Sequence, residues 1–279
     1  MRRVELLVVL CTAAAGAGCL GPSAGDRPAA PTVARSLAPA LAQDGLLVDY
    51  ILLERPVGDP LLDRDLWAAA LPVGAPETRA LLAENGLRAG LLTGSPPQQF
   101  QDLLDSEADT VDPRRLTFNA RKETVIPTAG PVDPCRFELL ADLAGKPKPV
   151  ELKQARCGVF VRPQPAEGRR VRVWCEPQIQ HGDRRQWLRP TEDGTRFAKI
   201  EEVPLEKYPA FGFDATLGPD DCLVIGWAAD QPGTLGAALF GVEADGRPRQ
   251  RVLVIRARLA TAPGPGDLPT IAGPYRRRR

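Results

Sequence analysis

The chain has 279 residues, of which 43% are apolar, and a formal net charge of +1. This length and apolar content suffice for one large domain or two small ones with a packed core. The near balance of charge excludes a protein that binds nucleic acid through an overall basic surface. The single histidine, His181, excludes sites that need two or more histidines, which include most zinc hydrolase and copper sites.

The first 18 residues have the pattern of an export signal. Arg2 and Arg3 form a short basic start, and the apolar stretch that follows is too short to cross a bilayer as a permanent helix. The segment ends in three small residues directly before Cys19. We therefore predict a signal peptide at 1–18, and hence an exported protein.

The end of this segment, Gly16-Ala-Gly-Cys19, resembles the lipobox of bacterial lipoproteins. In that family the signal peptide is cut before the cysteine, whose sulfur then carries diacylglycerol. The resemblance implies lipidation of Cys19, with palmitate among the acyl chains, and anchoring to a membrane of the cell envelope. Because Leu20 rather than aspartate follows, it further implies the outer membrane and a periplasmic orientation. The alternative is an ordinary secretory signal, with Cys19 incidental.

Residues 21–45 and 261–279 are predicted to lack a packed structure. Pro, Ala, Gly and Ser dominate residues 21–45, which cannot bury enough surface to offset their chain entropy, so 19–45 is predicted to be a lipidated, disordered tether. The segment after Ala260 is rich in Pro and Gly and ends in four arginines. We predict a disordered basic tail at 261–279; the alternative is contact with anionic lipid headgroups, at about 1 kcal/mol per Arg.

Four cysteines would remain in the folded part of an exported chain. An even number in an oxidising compartment favours two disulfides, and we predict Cys135–Cys157 and Cys175–Cys222. The first pair lies in adjacent segments. In the second pair, both cysteines continue an apolar face of a predicted strand. The alternatives are free buried thiols, or a zinc site that uses all four thiolates.

Residues 46–110 predict a small α/β unit in the order strand, helix, strand, helix. The apolar run Leu46–Leu53 predicts the first strand. Pro76 favours a helix start, and Asn85-Gly86 favours its end. Leu87–Leu92 predicts the next strand, and a second helix follows with Phe100, Leu103 and Leu104 on one face.

Residues 111–260 predict a larger, β-rich and mostly antiparallel part, so the fold class expected for the whole chain is α+β. Runs at 158–162 and 170–176, separated by a turn rich in Pro and Gly, predict a hairpin. Later strands are predicted at 223–227, 237–243 and 252–259. Asp245-Gly246 predicts the turn of a further hairpin.

Four segments in this part together resemble the strand pattern of bacterial secretins. They are Val171–Ile179, Leu217–Gly226, Thr234–Phe240 and Arg251–Arg256, in the same order and at similar spacing. The resemblance covers about 90 residues, a third of the chain. It implies a β-rich protein of the bacterial envelope and a role in assembly. The whole chain also resembles uncharacterised exported lipoproteins of bacteria with GC-rich genomes.

The sequence lacks the common catalytic motifs. It contains no Gly-x-Ser-x-Gly elbow, phosphate-binding Walker loop, His-Glu-x-x-His or dinucleotide-binding glycine motif. His181 lies in a polar stretch typical of a surface loop, and adjacent acids such as Glu201-Glu202 point to opposite faces when they lie on a strand. We therefore expect no enzyme activity, no cofactor and no metal.

The predicted function is that of a structural or accessory component of an envelope assembly. Its expected partners are a membrane, bound through Cys19, and a second copy or another envelope protein, but no nucleic acid. The alternative is a periplasmic binding module for a peptide, glycan or lipid, with an aromatic pocket built on Trp67, Trp187 or Trp227. A third hypothesis is a hydrolase that uses His181.

Overall fold

The computed structural model describes residues 45–118, 123–191 and 193–260, which belong to one compact unit. The predicted signal peptide, Cys19, the basic tail and all but the last residue of the tether lie outside the described residues. The strands, in chain order, are β1 Leu46–Pro56, β2 Leu71–Pro72, β3 Leu87–Leu92, β4 Thr110–Phe118, β5 Thr124–Val132, β6 Cys135–Leu139, β7 Lys148–Leu152, β8 Ala155–Pro165, β9 Val171–Gln180, β10 Arg185–Pro190, β11 Phe197–Glu202, β12 Leu205–Lys207, β13 Phe213–Leu217, β14 Cys222–Trp227, β15 Gly241–Ala244 and β16 Arg247–Leu259. The helices are α1 Leu66–Ala69, α2 Pro76–Glu84, α3 Gln98–Asp105 and α4 Leu235–Phe240, together with a π-helical turn at Leu61–Asp65 and a 3-10 turn at Pro209–Phe211.

The first sheet has seven strands in the order β2-β3-β14-β16-β1-β4, with β15 beside the start of β16, and its strand pairs are antiparallel. Its centre is the long pairing of β1 with β16, from Leu46 opposite Leu259 to Pro56 opposite Arg249. Consecutive residues in the middle of both strands are buried, namely Leu52 and Leu53 of β1 and Val252–Ile255 of β16, because both faces of this sheet are covered. The predicted strand at Leu46–Leu53 is confirmed and forms most of β1.

Helices cover the outer face of the first sheet. Phe100 and Leu103 of α3 and Leu62 of the π-helical turn are buried in one apolar cluster with Val252 and Val254 of β16. Phe100 is only 2% exposed, and Leu104 packs at the edge of the same cluster. The predicted apolar face of this helix is confirmed.

The second sheet packs on the inner face of the first. Its order is β12-β9-β8-β5, with β13 also beside β9, and its strand pairs are antiparallel. Alternate residues of β9, such as Val171 and Val173, are fully buried in the same core cluster as Leu223 and Ile255 of the first sheet. The predicted hairpin in this region is confirmed as β8 and β9. The core between the sheets is thus built as a sandwich.

Two predicted turns position these layers. Asp245 and Gly246 both have positive φ, as a two-residue hairpin turn requires, and they join β15 to β16. Asn85 ends α2, and its buried amide donates hydrogen bonds to the carbonyls of Leu81 and Leu140 at 2.8 and 3.0 Å. Its Oδ1 accepts the Leu140 N–H at 2.9 Å, which ties α2 to the segment after β6.

The predicted division near residue 110 does not separate two folded parts. Strands from both sides of it pair throughout the first sheet: β1 with β16, and β3 with β14. The described chain is therefore one β-rich, mostly antiparallel fold with a few short helices, rather than an α/β unit followed by a β domain. The predicted strands and helices β1, α2, β3 and α3 occur in the predicted order, with the short elements α1 and β2 added between β1 and α2. An apolar strand pattern does not specify which strand is its partner.

Candidate functional site

A two-stranded extension, which we call the arm, is formed by β10, β11 and the turn between them. The arm continues the β9–β12 ribbon beyond the second sheet. The ribbon changes course at His181, whose N–H donates to the Pro204 carbonyl at 3.0 Å, and at Gly182, whose N–H donates to the Lys153 carbonyl at 2.7 Å. Within the described residues β10 and β11 pair only with each other, which leaves their outer edges open.

The tip of the arm is fixed by hydrogen bonds around Asp193. This carboxylate accepts hydrogen bonds from the hydroxyls of Thr191 and Thr195, and these bonds lower its pKa to about 2. The Thr191 N–H donates to the Arg196 carbonyl at 2.8 Å and closes the turn. Hydrogen bonds between described residues on both sides of the turn thus link the ends of β10 and β11.

The arm exposes large apolar side chains on both of its faces. Trp187 and Ile200 lie opposite each other on one face, and Trp187 is 47% exposed. Leu188 and Phe197 lie on the other face and are 64% and 70% exposed. Core packing does not account for them, because all six residues of β10 are exposed. Such a cluster on a soluble surface is typical of a contact site.

A groove of about 860 Å³ runs beside the arm, where it meets the second sheet. Trp187 and Leu188 of the arm and Leu205 of β12 supply its apolar lining. Arg156 and Lys207 are among the charged residues that also line it. The groove can therefore hold an extended chain with mixed apolar and acidic side chains.

The charged side chains of the arm are unevenly paired. Arg189 binds Glu202 at 2.6 Å, and Gln186 donates to Glu201 at 3.2 Å. Lys199 is exposed and has no ion pair within the described residues. Two charged groups of β11 are thus available to a partner. They are the ammonium group of Lys199 and the carboxylate of Glu201, whose hydrogen bond comes from the neutral amide of Gln186.

The structure brings together one of the two predicted cysteine pairs. Cys135 of β6 and Cys157 of β8 are both buried, and their thiol groups share a hydrogen bond. That bond and burial raise the pKa of Cys157, so it stays protonated at neutral pH. The sulfurs are present as thiols. The Cys135–Cys157 bridge remains a prediction for an oxidising compartment.

The predicted Cys175–Cys222 pairing is wrong for this fold. Cys175 lies in the core between the two sheets, where burial raises its pKa, whereas Cys222 lies under the outer helices. Arg256 donates to the Cys222 sulfur at 3.0 Å. Both cysteines do face a core, as the sequence indicates, but β9 and β14 belong to different sheets.

The remaining candidate residues do not converge on a reaction centre. The Nε2 of His181 lies 3.3 Å from Glu206, and no hydroxyl forms a hydrogen bond with the His181 ring within the described chain. The Nε1 of Trp67 donates to the Leu62 carbonyl, and that of Trp227 to the Gln231 carbonyl, so both are held within the fold. Trp187 alone of the three predicted platform residues lines the groove beside the arm.

The described residues contain neither a cluster of metal-ligating side chains nor a membrane-spanning helix. No cluster of three or more His, Cys, Asp or Glu side chains there could hold a metal ion. No helix in the described ranges combines the length and apolar character needed to cross a bilayer.

The arm is the feature that sequence analysis missed. The signal was present: Asp193-Gly194 is a turn pair flanked by runs that contain Trp187 and Phe197. It was weak because apolar residues occur on both faces of the hairpin, so the alternation that identifies a half-buried strand is absent.

Comparison with known proteins adds little information about this chain. No family model and no curated protein matches the chain. Among solved structures, it is similar to the secretin-domain β-barrel of InvG from the Salmonella SPI-1 injectisome base, with a TM-score of 0.22 and 9% identity. The match covers 80% of this chain and 64% of that one. A likeness this distant assigns this chain neither a fold nor a function.

Proposed function

We propose that this protein is a non-catalytic, lipid-anchored component of a bacterial envelope assembly that contacts its partner through the arm. The observation that carries the proposal is the arm itself: two strand edges that are open within the described residues, and exposed Trp187, Leu188 and Phe197. Open edges and exposed apolar side chains are normally avoided in monomers because they promote association. Their combination on one projecting hairpin supports a role in binding.

The location proposed is the periplasmic side of the outer membrane. It rests on the export signal and on the lipobox resemblance at Cys19 and Leu20. Each buried methylene of an acyl chain contributes about 0.8 kcal/mol, and two or more chains hold a protein stably on a bilayer. A tether of Pro, Ala and Gly residues would let the folded part reach partners away from the membrane.

The absence of catalysis is proposed from the arrangement of polar groups. Acyl and glycosyl transfer need a nucleophile or an acid–base pair held together in a cleft. Within the described residues the ring of His181 lies 3.3 Å from a Glu206 oxygen and forms no hydrogen bond with a hydroxyl. The groove that holds Trp187 is lined by apolar and charged side chains that suit binding.

An arm replacement tests this function. Residues 185–202 would be replaced by a short Gly-Asn-Gly loop, which the 3.0 Å bond between His181 and Pro204 at the base of the arm should accommodate. We expect the natural protein, extracted from membranes in mild detergent, to sediment as part of a complex, and the armless variant to sediment alone. Equal thermal stability of the two would show that the sandwich is intact. A natural chain that sediments alone, or a complex that persists without the arm, would reject the proposal.

A second candidate is a peptide-binding module, which the exposure of Trp187 in the groove favours. Extended peptides with acidic and apolar side chains would change the fluorescence of Trp187 on binding. The variant Trp187→Phe would remove that signal. Saturable binding by a monomeric chain would favour this candidate over assembly.

A further inference from the structure

The backbone of the arm distinguishes its two open edges. Hydrogen-bonded and non-hydrogen-bonded pairs alternate along an antiparallel hairpin. Because the backbone of Thr191 is hydrogen-bonded to that of Arg196, the next pair, Pro190 with Phe197, is a non-hydrogen-bonded pair. Its backbone groups therefore point away from the partner strand of the hairpin. Pro190 has no N–H to offer there, so the β10 edge is interrupted. The β11 edge contains no proline and presents the backbone groups of Phe197, Lys199 and Glu201.

We propose that β11 pairs antiparallel with β11 of a second copy of this chain, with Ile200 opposite Ile200. The inference rests on the proposed function, since it assumes that the arm is the contact surface and names what binds there. Two copies related by a two-fold axis meet through the same surface, so each contact occurs twice. The result is a continuous four-stranded sheet across the two arms.

Charge favours this register over its two nearest neighbours. Residues whose backbone groups point outward in one copy must face such residues of the other copy, so the register can shift only by two residues at a time. Each shift of two residues moves the centre of the symmetric pairing by one residue. Centring on Ile200 places Lys199 opposite Glu201 of the second copy, twice. Centring one residue away in either direction, on Lys199 or on Glu201, places like charges directly opposite each other, which is unfavourable.

The apolar side chains of one face support the same register. Within a copy, Trp187 lies directly opposite Ile200 on one face of the arm. Pairing at Ile200 therefore produces a row of Trp, Ile, Ile and Trp across the four strands. Aromatic and β-branched neighbours across strands stabilise a sheet. The exposed half of Trp187 would then lie at the end of a continuous apolar row.

Charge reversal tests the pairing in the full-length chain purified in mild detergent. Either Lys199→Glu or Glu201→Lys places like charges opposite each other in a homodimer, and we expect dimerisation to weaken about 10- to 100-fold. In an equimolar mixture of the two variants, two acidic side chains on β11 of one copy face two basic side chains on β11 of the other. Both cross-strand pairs are then of opposite charge again, so the mixture should restore the natural affinity. Both substitutions lie on exposed positions, so folding is preserved. Sedimentation equilibrium over micromolar concentrations measures each case.

Cross-linking tests the register independently. Residues directly opposite in a non-hydrogen-bonded pair have Cα atoms about 4.5 Å apart, within the range for a disulfide. Ile200→Cys should therefore form a covalent dimer on mild oxidation. Gln186→Cys, exposed on β10, is the matched control and should remain monomeric.

The outcomes separate this inference from the proposed function. A purified natural chain that remains monomeric, or a variant mixture no tighter than either variant alone, would overturn the pairing of two copies. If membrane extracts nevertheless contain an arm-dependent complex, the partner is another protein and the proposed function stands. If the extracts contain only monomer, both proposals fall.

Discussion

Replacing Asn85 tests whether the end of α2 holds the layers of the fold together. Its side chain is 1% exposed and makes three hydrogen bonds, two as donor and one as acceptor. Two of them satisfy the N–H and C=O of Leu140, which lies 55 residues away. Asn85→Ala removes all three and leaves the backbone groups of Leu140 without these partners.

The expected cost follows from the number of bonds. Each hydrogen bond contributes about 1 kcal/mol net, and unsatisfied partners add to the loss, so Asn85→Ala should reduce the free energy of unfolding by about 3 kcal/mol. For a folded unit of this size, that corresponds to a fall in Tm of about 6–12 °C.

Urea and thermal unfolding monitored by circular dichroism provide the assay. The matched control is Gln98→Ala, which removes an exposed amide bonded to Asp102 at 2.8 Å. It should cost no more than about 0.5 kcal/mol. If the two variants lose the same stability, Asn85 does not tie α2 to the segment after β6, and the reasoning is refuted.

Three further predictions concern charge, thiols and the anchor. Arg55 donates a hydrogen bond to Asp109 that lowers the pKa of that carboxyl, so the stabilisation from this pair is present at neutral pH and is lost as the pH falls through the lowered pKa. Asp109→Asn should therefore reduce the free energy of unfolding by about 1 kcal/mol at pH 7 and by nothing in strong acid. A loss of stability in urea titrations that does not depend on pH would contradict this. Alkylation of the denatured, unreduced protein from the envelope should label Cys175 and Cys222 and leave Cys135 and Cys157 unlabelled as a disulfide, as mass spectrometry would show. Labelling of all four cysteines would reject that bridge. Cys19→Ser should release the protein from membranes and abolish incorporation of labelled palmitate, and unchanged retention and labelling would exclude the anchor.

Local features of this fold could be predicted from the sequence because local chemistry determines them. The apolar run Leu46–Leu53 predicts a buried strand, which the structure shows. The pair Asp245-Gly246 predicts a hairpin turn because Asp and Gly tolerate positive φ, and both residues adopt it. Phe100 and Leu103 share a face because a helix repeats every 3.6 residues.

Long-range features could not be predicted in this way. One partner of β1, β16, and one partner of β3, β14, lie 130 residues or more away along the chain, and many apolar strands would satisfy the same pattern. The error at Cys175 and Cys222 has the same origin: each correctly faces a core, but the sequence does not reveal that the cores are different. The arm escaped prediction because its apolar residues serve neither core.

Photo-crosslinking in living cells tests most directly whether the arm is the contact surface. A photoreactive amino acid would replace Phe197, which is 70% exposed on the arm, or Leu143, an apolar residue 50% exposed elsewhere on the fold. We expect a discrete covalent adduct from position 197, at twice the mass of the chain if two copies pair, and none from position 143. No adduct from position 197, or equal adducts from both positions, would contradict it.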